Sequence, residues 1–221
     1  MNRKITFTPG EYYHIYNRGV EKRKVFMDVR DRDRFQSLLY LLNGVKPIIY
    51  RLIQGETLYK EGVGEKIVAI GAYVLMPNHF HLLLKETKDG GVTSFIRKLT
   101  TGYTMYFNKK YERVGPLFQG AFKAEHINND GYLKYLFAYI HLNPVKLIDK
   151  NWKEKGITNL KHAERFLQEY LHSSYSDYLR IQRLEKDILS PKLFPNYFSN
   201  SQTVTTFHKD LLKFNSPHNT R

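Results

Sequence analysis

Two apolar segments, IVAIGAYVL at residues 67–75 and HFHLLLKE at 79–86, stand on either side of the break Met76-Pro77-Asn78. The first reads as a central strand. The second resumes as a strand after the proline, so the pair predicts a β-hairpin around which the rest of the chain must be arranged. Upstream, EYYHIYNR at 11–18 is aromatic and β-branched and reads as another strand, closed by Gly19. From Asp31 the apolar residues Phe35, Leu38, Leu39 and Leu42 recur at helical spacing, with Asn43-Gly44 as the stop signal. Residues 48–59 form a further apolar stretch. Beyond Gly90-Gly91 the pattern predicts a long helix over 92–111 with Phe95, Leu99, Tyr103, Tyr106 and Phe107 on one side, then a short strand near 119–127. A last helix over 130–142 must end near Pro144, because proline disfavours helix in the residue before it. The order β, α, β, β, α, β, α predicts an α+β fold built on a largely antiparallel sheet flanked by helices. This unit spans 1–150. Residues 151–221 are expected to form an appended C-terminal helical extension, with helix over 159–186 and a polar tail over 199–221 in which only Phe207, Leu211, Leu212 and Phe214 are there to pack.

Composition narrows the function. The 221 residues carry 35 Lys+Arg against 21 Asp+Glu, a formal net charge of +14, which makes a polyanion the expected partner. There is no cysteine, which excludes a disulfide scaffold, a thiolate zinc site and a cysteine nucleophile and fits a cytoplasmic protein. The opening MNRKITFTPGEYYHIYNRG lacks the apolar core of a signal peptide, and no apolar run approaches the length of a membrane span.

Two constellations carry chemistry. His79 and His81 are two apart in a strand, so both imidazoles project from one face and can reach one metal ion, while Phe80, Leu82 and Leu84 take the other. In the helix GYLKYLFAYIHLNP, Leu133, Leu136, Phe137 and Ile140 form the core stripe. Tyr132, Tyr135, Tyr139 and Asn143 form a separate one, with Tyr139 and Asn143 one turn apart. His126 and His141 read as structural, His141 pointing away from Tyr139. For nucleic-acid holding, Arg97, Lys98, Lys109, Lys110 and Arg113 are interleaved with Tyr103 and Tyr106, pairing phosphate neutralisation with faces for stacking bases. Arg18, Lys22, Arg23 and Lys24 form a second basic patch after the first strand.

Taken together, YVLMPNHFHLLL, then YFNKKYERVGPLFQGAFK, then YIHLNPVK resemble the REP-associated tyrosine transposases, relatives of the insertion-sequence transposases in the single-tyrosine HUH nuclease superfamily. The resemblance covers about residues 11–150 and continues weakly through HSSYSDYL at 172–179. It implies a ferredoxin-like HUH sheet, His79 and His81 as metal ligands, Asn143 as the third and Tyr139 as the nucleophile. It further implies Mg²⁺ or Mn²⁺ as cofactor and single-stranded DNA bearing a hairpin, REP-like or at a transposon end, as substrate. Cleavage then runs through a 5′-phosphotyrosine that is rejoined to another strand, by a monomer or homodimer, with no nucleotide cofactor and no membrane. The family usually shows Gln-Gly-Arg-Phe where this chain has Gln119-Gly120-Ala121-Phe122. Two rival readings stay open. One is a replication initiator or relaxase, whose paired tyrosines Tyr135 and Tyr139 imitate. The other is a non-catalytic nucleic-acid-binding relic, for which Ala121 speaks.

Overall fold

The structure is a computed structural model describing residues 5–47, 59 and 62–213. The expected apolar stretch at 48–59 and Phe214 lie outside the described residues, Tyr59 excepted. Four strands, β1 (Tyr12–Arg18), β2 (Val68–Met76), β3 (His79–Glu86) and β4 (Lys123–Ile127), form one sheet in the order β2-β3-β1-β4. Every neighbouring pair is antiparallel. With α1 (Val29–Leu41) between β1 and β2 and α2 (Gly91–Lys110) between β3 and β4, this is the β-α-β-β-α-β ferredoxin-like arrangement. A third helix, α3 (Asp130–Leu142), follows β4.

The alternation of β2 and β3 divides the core. Ile70, Tyr73, Leu75, Phe80, Leu82 and Leu84 pack with Phe35, Leu38 and Leu39 of α1 and Phe95, Leu99 and Tyr103 of α2. The opposite parity, Ala69, Ala72, Val74 and Leu83, packs with Leu133, Leu136, Phe137 and Ile140 of α3. Both faces are covered, which is why β2 and the Leu82–Leu84 centre of β3 are apolar on both faces and not alternating. The parity that carries Leu83 toward α3 carries His79 and His81 there too.

Local signals place the elements. Asp28 caps α1 through a reciprocal capping box with Asp31. The Asn43 side chain that ends this helix bonds both the carbonyl and the amide of Val68, so the stop signal also clamps the start of β2. Glu86, fully buried at the end of β3, accepts from the amides of Gly91 and Val92 and so caps the start of α2. At Gly71 the β2–β3 register shifts, and a Cβ there would stand 2.7 Å from the Phe194 ring, so the absence of a side chain lets the C-terminal segment close over the strand.

Three expectations are corrected. The strand expected from 119 begins at Lys123, since Gly120 turns with φ +66°. The helix expected over 159–186 is broken into α5 (Leu160–Glu169) and α6 (Tyr175–Tyr178), after the short α4 (Trp152–Lys155). Residues 172–174 leave the helix instead, because their backbone bonds the free edge of β2: Ser173 bridges Val74, the Leu75 amide donates to the His172 carbonyl and the Ser174 amide to the Tyr73 carbonyl. The segment expected as a polar tail contains α7 (Ser201–Lys213), which buries Val204, His208 and Leu212 against Ala138 and Leu142 of α3. Phe207 and Leu211 are partly buried there.

Candidate functional site

The open side of α3 and the β3–β1 strands enclose a cavity of about 420 Å³ lined by Tyr16, Asn17, Arg18, His79, His81, Gln119, Lys123, Tyr139, Asn143 and Lys146. Strand pairing sets its floor. Tyr16 lies opposite His81 and Arg18 opposite His79, while His14 lies opposite Leu83 on the same face. The rings of His79 and His81 stand 5.0 Å apart at 89°, and the Tyr139 ring is 5.7 Å from His81.

The histidine nitrogens are not equivalent. His79 Nδ1 lies 2.7 Å from Asn78 Oδ1, and the Asn78 amide nitrogen donates to the Lys22 carbonyl at 3.1 Å. That second bond orients the amide, so His79 Nδ1 must carry the hydrogen and Nε2 is left as the bare nitrogen. His81 Nδ1 is engaged by His14 Nε2 at 2.8 Å, again leaving Nε2 as the outer nitrogen. Burial lowers both pKa values, His79 to about 4 and His81 well below the ordinary histidine range, with Arg18, His14 and the site lysines adding to the effect. Both imidazoles are therefore neutral at pH 7, the state a metal ligand needs.

Asn143 follows the last turn of α3, where the helix passes into a 3₁₀ turn at Asn143–Leu147 through Pro144. Its Nδ2 donates to the Tyr139 carbonyl at 3.3 Å, and its side chain interacts with both His79 and the Tyr139 hydroxyl. Two neutral imidazole nitrogens and an amide oxygen are a donor set that fits a divalent cation with coordination positions to spare. Among the described residues no cluster of three or more His, Asp or Glu side chains is arranged to hold a metal, so a cation here depends on the amide.

Burial raises the Tyr139 hydroxyl pKa, with Tyr135 and Glu125 adding to it and Asn143 drawing it partly back. Lys153 of α4 places its Nζ 4.0 Å from the centre of the Tyr139 ring. Its own pKa is lowered to about 8 by burial and by Lys146, which still leaves it mostly protonated at pH 7.

The structure thus brings together His79, His81, Tyr139, Asn143 and Arg18. Lys22, Arg23 and Lys24 lie outside the cavity lining; Lys22 supports Asn78 through its carbonyl, and Arg23 pairs with Glu21. The α2 residues are on the other side of the sheet. Arg97, Lys98, Tyr106, Lys109 and Lys110 border a groove of about 1010 Å³ between α1 and α2. Tyr103 is wholly buried with its hydroxyl donating to the Val25 carbonyl, so it offers no face to a base and packs the core instead. Lys110 is held by Asp28 and Asp31, and Arg113 by Asn108. Sequence reasoning missed His14 and Tyr16, whose shared parity in EYYHIYNR is the signal that places them on the site face. It also missed Lys146, the last residue of the YIHLNPVK segment. Gln119 stands in the Gln119-Gly120-Ala121-Phe122 motif already noted, whereas nothing local marks Lys123 or Lys153.

A solved structure of a REP associated tyrosine transposase bound to a REP hairpin superposes with a TM-score of 0.51 at 14% identity, over 84% of this chain and 90% of that one. This likeness concerns the fold. No match was found among curated protein sequences. The family model for IS200-like transposases matches residues 10–143, which include every strand of the sheet, both site histidines, Tyr139 and Asn143, and the chain therefore belongs to the IS200-like transposase family.

Proposed function

We propose that this transposase cleaves and rejoins single-stranded DNA beside a hairpin, with Tyr139 as nucleophile and a divalent cation, Mg²⁺ or Mn²⁺, held by His79, His81 and Asn143. The observation that carries the reading is the convergence of two neutral imidazoles, an amide and a half-buried tyrosine on one cavity rimmed by Arg18, Lys123 and Lys146. The REP hairpin bound by the structurally similar protein supports the substrate class.

The chemistry explains the arrangement. A free tyrosine has a pKa near 10, so forming phenolate at pH 7 costs about 4 kcal/mol, and burial of Tyr139 adds to that cost. A bound divalent cation supplies charge neutralisation at the scissile phosphate. The chain's own residues do the rest. Lys153, facing the Tyr139 ring, stabilises the hydroxyl as it loses its proton; Arg18 and Lys146 hold the DNA backbone at the cavity mouth. Attack by the Tyr139 oxygen on phosphorus forms the 5′-phosphotyrosine and releases the 3′-hydroxyl. One phosphoester replaces another, so the step reverses onto a second strand without a nucleotide cofactor.

Incubation with hairpin-bearing single-stranded DNA and Mn²⁺ is expected to yield a covalent protein–DNA adduct, absent in Tyr139→Phe and in His79→Ala. DNA binding without cleavage by the wild type would favour the non-catalytic reading, for which Ala121, exposed in the bend between the lining residues Gln119 and Lys123, is the reason to look.

A further inference from the structure

We propose that Glu125 and His14 form a relay that fixes the tautomer of His81 and thereby aims its Nε2, as a bare lone pair, into the cavity. The inference rests on the metal-site reading given above and adds two residues to it. His14 is 4% exposed, its Nε2 is 2.8 Å from His81 Nδ1, and the two rings stack at 5.0 Å and 21°. Its other nitrogen, Nδ1, is buried without a hydrogen-bond partner and lies 3.6 Å from Glu125 Oε2. The second carboxylate oxygen is pinned by the Tyr16 hydroxyl, which donates to Oε1 at 2.9 Å. The sheet imposes this alignment: Glu125 of β4 lies opposite His14 of β1, and His14 and His81 share one face.

Only one hydrogen can lie between His14 Nε2 and His81 Nδ1, and the carboxylate decides which ring carries it. If His14 donated to His81, its Nδ1 would be a bare acceptor turned toward a carboxylate oxygen, and His81 would carry its hydrogen on Nε2, where no cation could bind. If His81 donates, His14 Nδ1 carries a hydrogen facing Glu125, the interaction becomes attractive, and His81 Nε2 is free. Between the two arrangements of neutral rings, the geometry therefore selects the ligating tautomer before any cation arrives. His79 reaches the same state independently through Asn78. Both are positioning contacts of the kind that raise ligand basicity and hold ring orientation in metal sites.

The test uses the full chain without DNA. Long-range ¹⁵N NMR of the metal-free protein is expected to show His81 and His14 both protonated at Nδ1; His81 protonated at Nε2 would overturn the relay. Mn²⁺ affinity, read from the free-ion EPR signal, is expected to fall about 10- to 100-fold in His14→Leu. His14→Gln, whose amide oxygen can replace Nε2 as acceptor, is expected to recover most of that loss. Glu125→Gln is expected to weaken binding several-fold, on the order of the lower end of that range. Wild-type affinity in a folded His14→Leu, or in both His14→Gln and Glu125→Gln if His14→Leu does not fold, with no loss in either, would likewise overturn it. His79→Ala separates the two ideas. If His79→Ala abolishes Mn²⁺ binding and the His14 and Glu125 variants do not affect it, the relay alone is wrong; if His79→Ala binds Mn²⁺ as the wild type does, the metal site is misplaced.

Discussion

Two stacked histidine pairs flank the same helix, and they do opposite things. His14 and His81 meet at 2.8 Å on the sheet side of the cavity; His141 and His208 meet at 3.1 Å where α7 covers α3. Both pairs are buried, with ring separations of 5.0 and 5.2 Å and interplanar angles of 21° and 20°. The second pair is closed at both ends. His208 Nδ1 donates to the Val204 carbonyl, leaving its Nε2 to accept from His141 Nδ1, and His141 Nε2 in turn accepts from the Ser174 hydroxyl. Every nitrogen is used, so the network can only hold α7, α3 and the edge of β2 together. The first pair ends on an Nε2 that faces the cavity. On the proposed function, an imidazole pair serves a reaction site where its chain of hydrogen bonds stops short of saturation.

Substitutions at the two pairs should therefore separate activity from stability. His81→Ala is expected to lower cleavage by at least about 100-fold, as loss of a ligand or its partner does, while the melting temperature stays within a few degrees. His141→Ala is expected to do the reverse. It leaves the Ser174 hydroxyl and His208 without their buried partner, costing about 2–4 kcal/mol in denaturant unfolding, with cleavage by the folded fraction near wild type. If both variants lose activity equally at equal stability, the distinction fails.

Acid provides a second separation. Burial lowers the His208 pKa to about 4 and that of His141 well below the ordinary range, against about 6.5 in the unfolded chain. The unfolded chain then binds protons that the native state refuses. The stabilisation from these neutral histidines is complete above pH 6.5 and falls as pH drops toward 4, by about 3 kcal/mol for His208 alone. His208→Gln should flatten the pH dependence of unfolding between pH 4 and 6.5; an unchanged slope would mean that the buried pair does not dominate it.

Smaller effects are expected farther from the reacting atoms. Lys153→Met, retaining the aliphatic stem over the Tyr139 ring but losing the charge, should slow cleavage about 10-fold with little change in DNA affinity. Arg18→Ala with Lys146→Ala should weaken single-stranded DNA binding about 10-fold and reduce its salt dependence. The equivalent pair on α2, Lys98→Ala with Lys109→Ala, should change affinity by no more than about threefold, because those side chains border the groove on the far face of the sheet.

What the sequence made legible was local. The i, i+2 spacing of His79 and His81 and the i, i+4 spacing of Tyr139 and Asn143 each place two side chains on one face of one element, and the structure brings all four to one cavity. The hairpin was equally readable from its proline break. What stayed hidden depends on contacts between distant segments. His14 and Glu125 reach His81 only through strand pairing, and Lys153 only because the chain returns across the end of α3. Tyr103 shows the converse failure: basic and aromatic residues interleave along α2, but periodicity cannot say which stripe meets the sheet, and the aromatic one does. Residues 172–174 look helical in isolation and interrupt the helix because the unpaired edge of β2 offers hydrogen bonds that a helix would forgo.

The central claim is that Tyr139 is the nucleophile in a site organised by His79 and His81. Peptide mapping by mass spectrometry of the adduct formed with hairpin-bearing single-stranded DNA and Mn²⁺ tests it directly. A nucleotide remnant is expected on the tryptic peptide containing Tyr139, attached through a 5′-phosphate to that side chain, with no adduct in Tyr139→Phe. A remnant on Tyr135, or strand cleavage that leaves no protein attached, would contradict it.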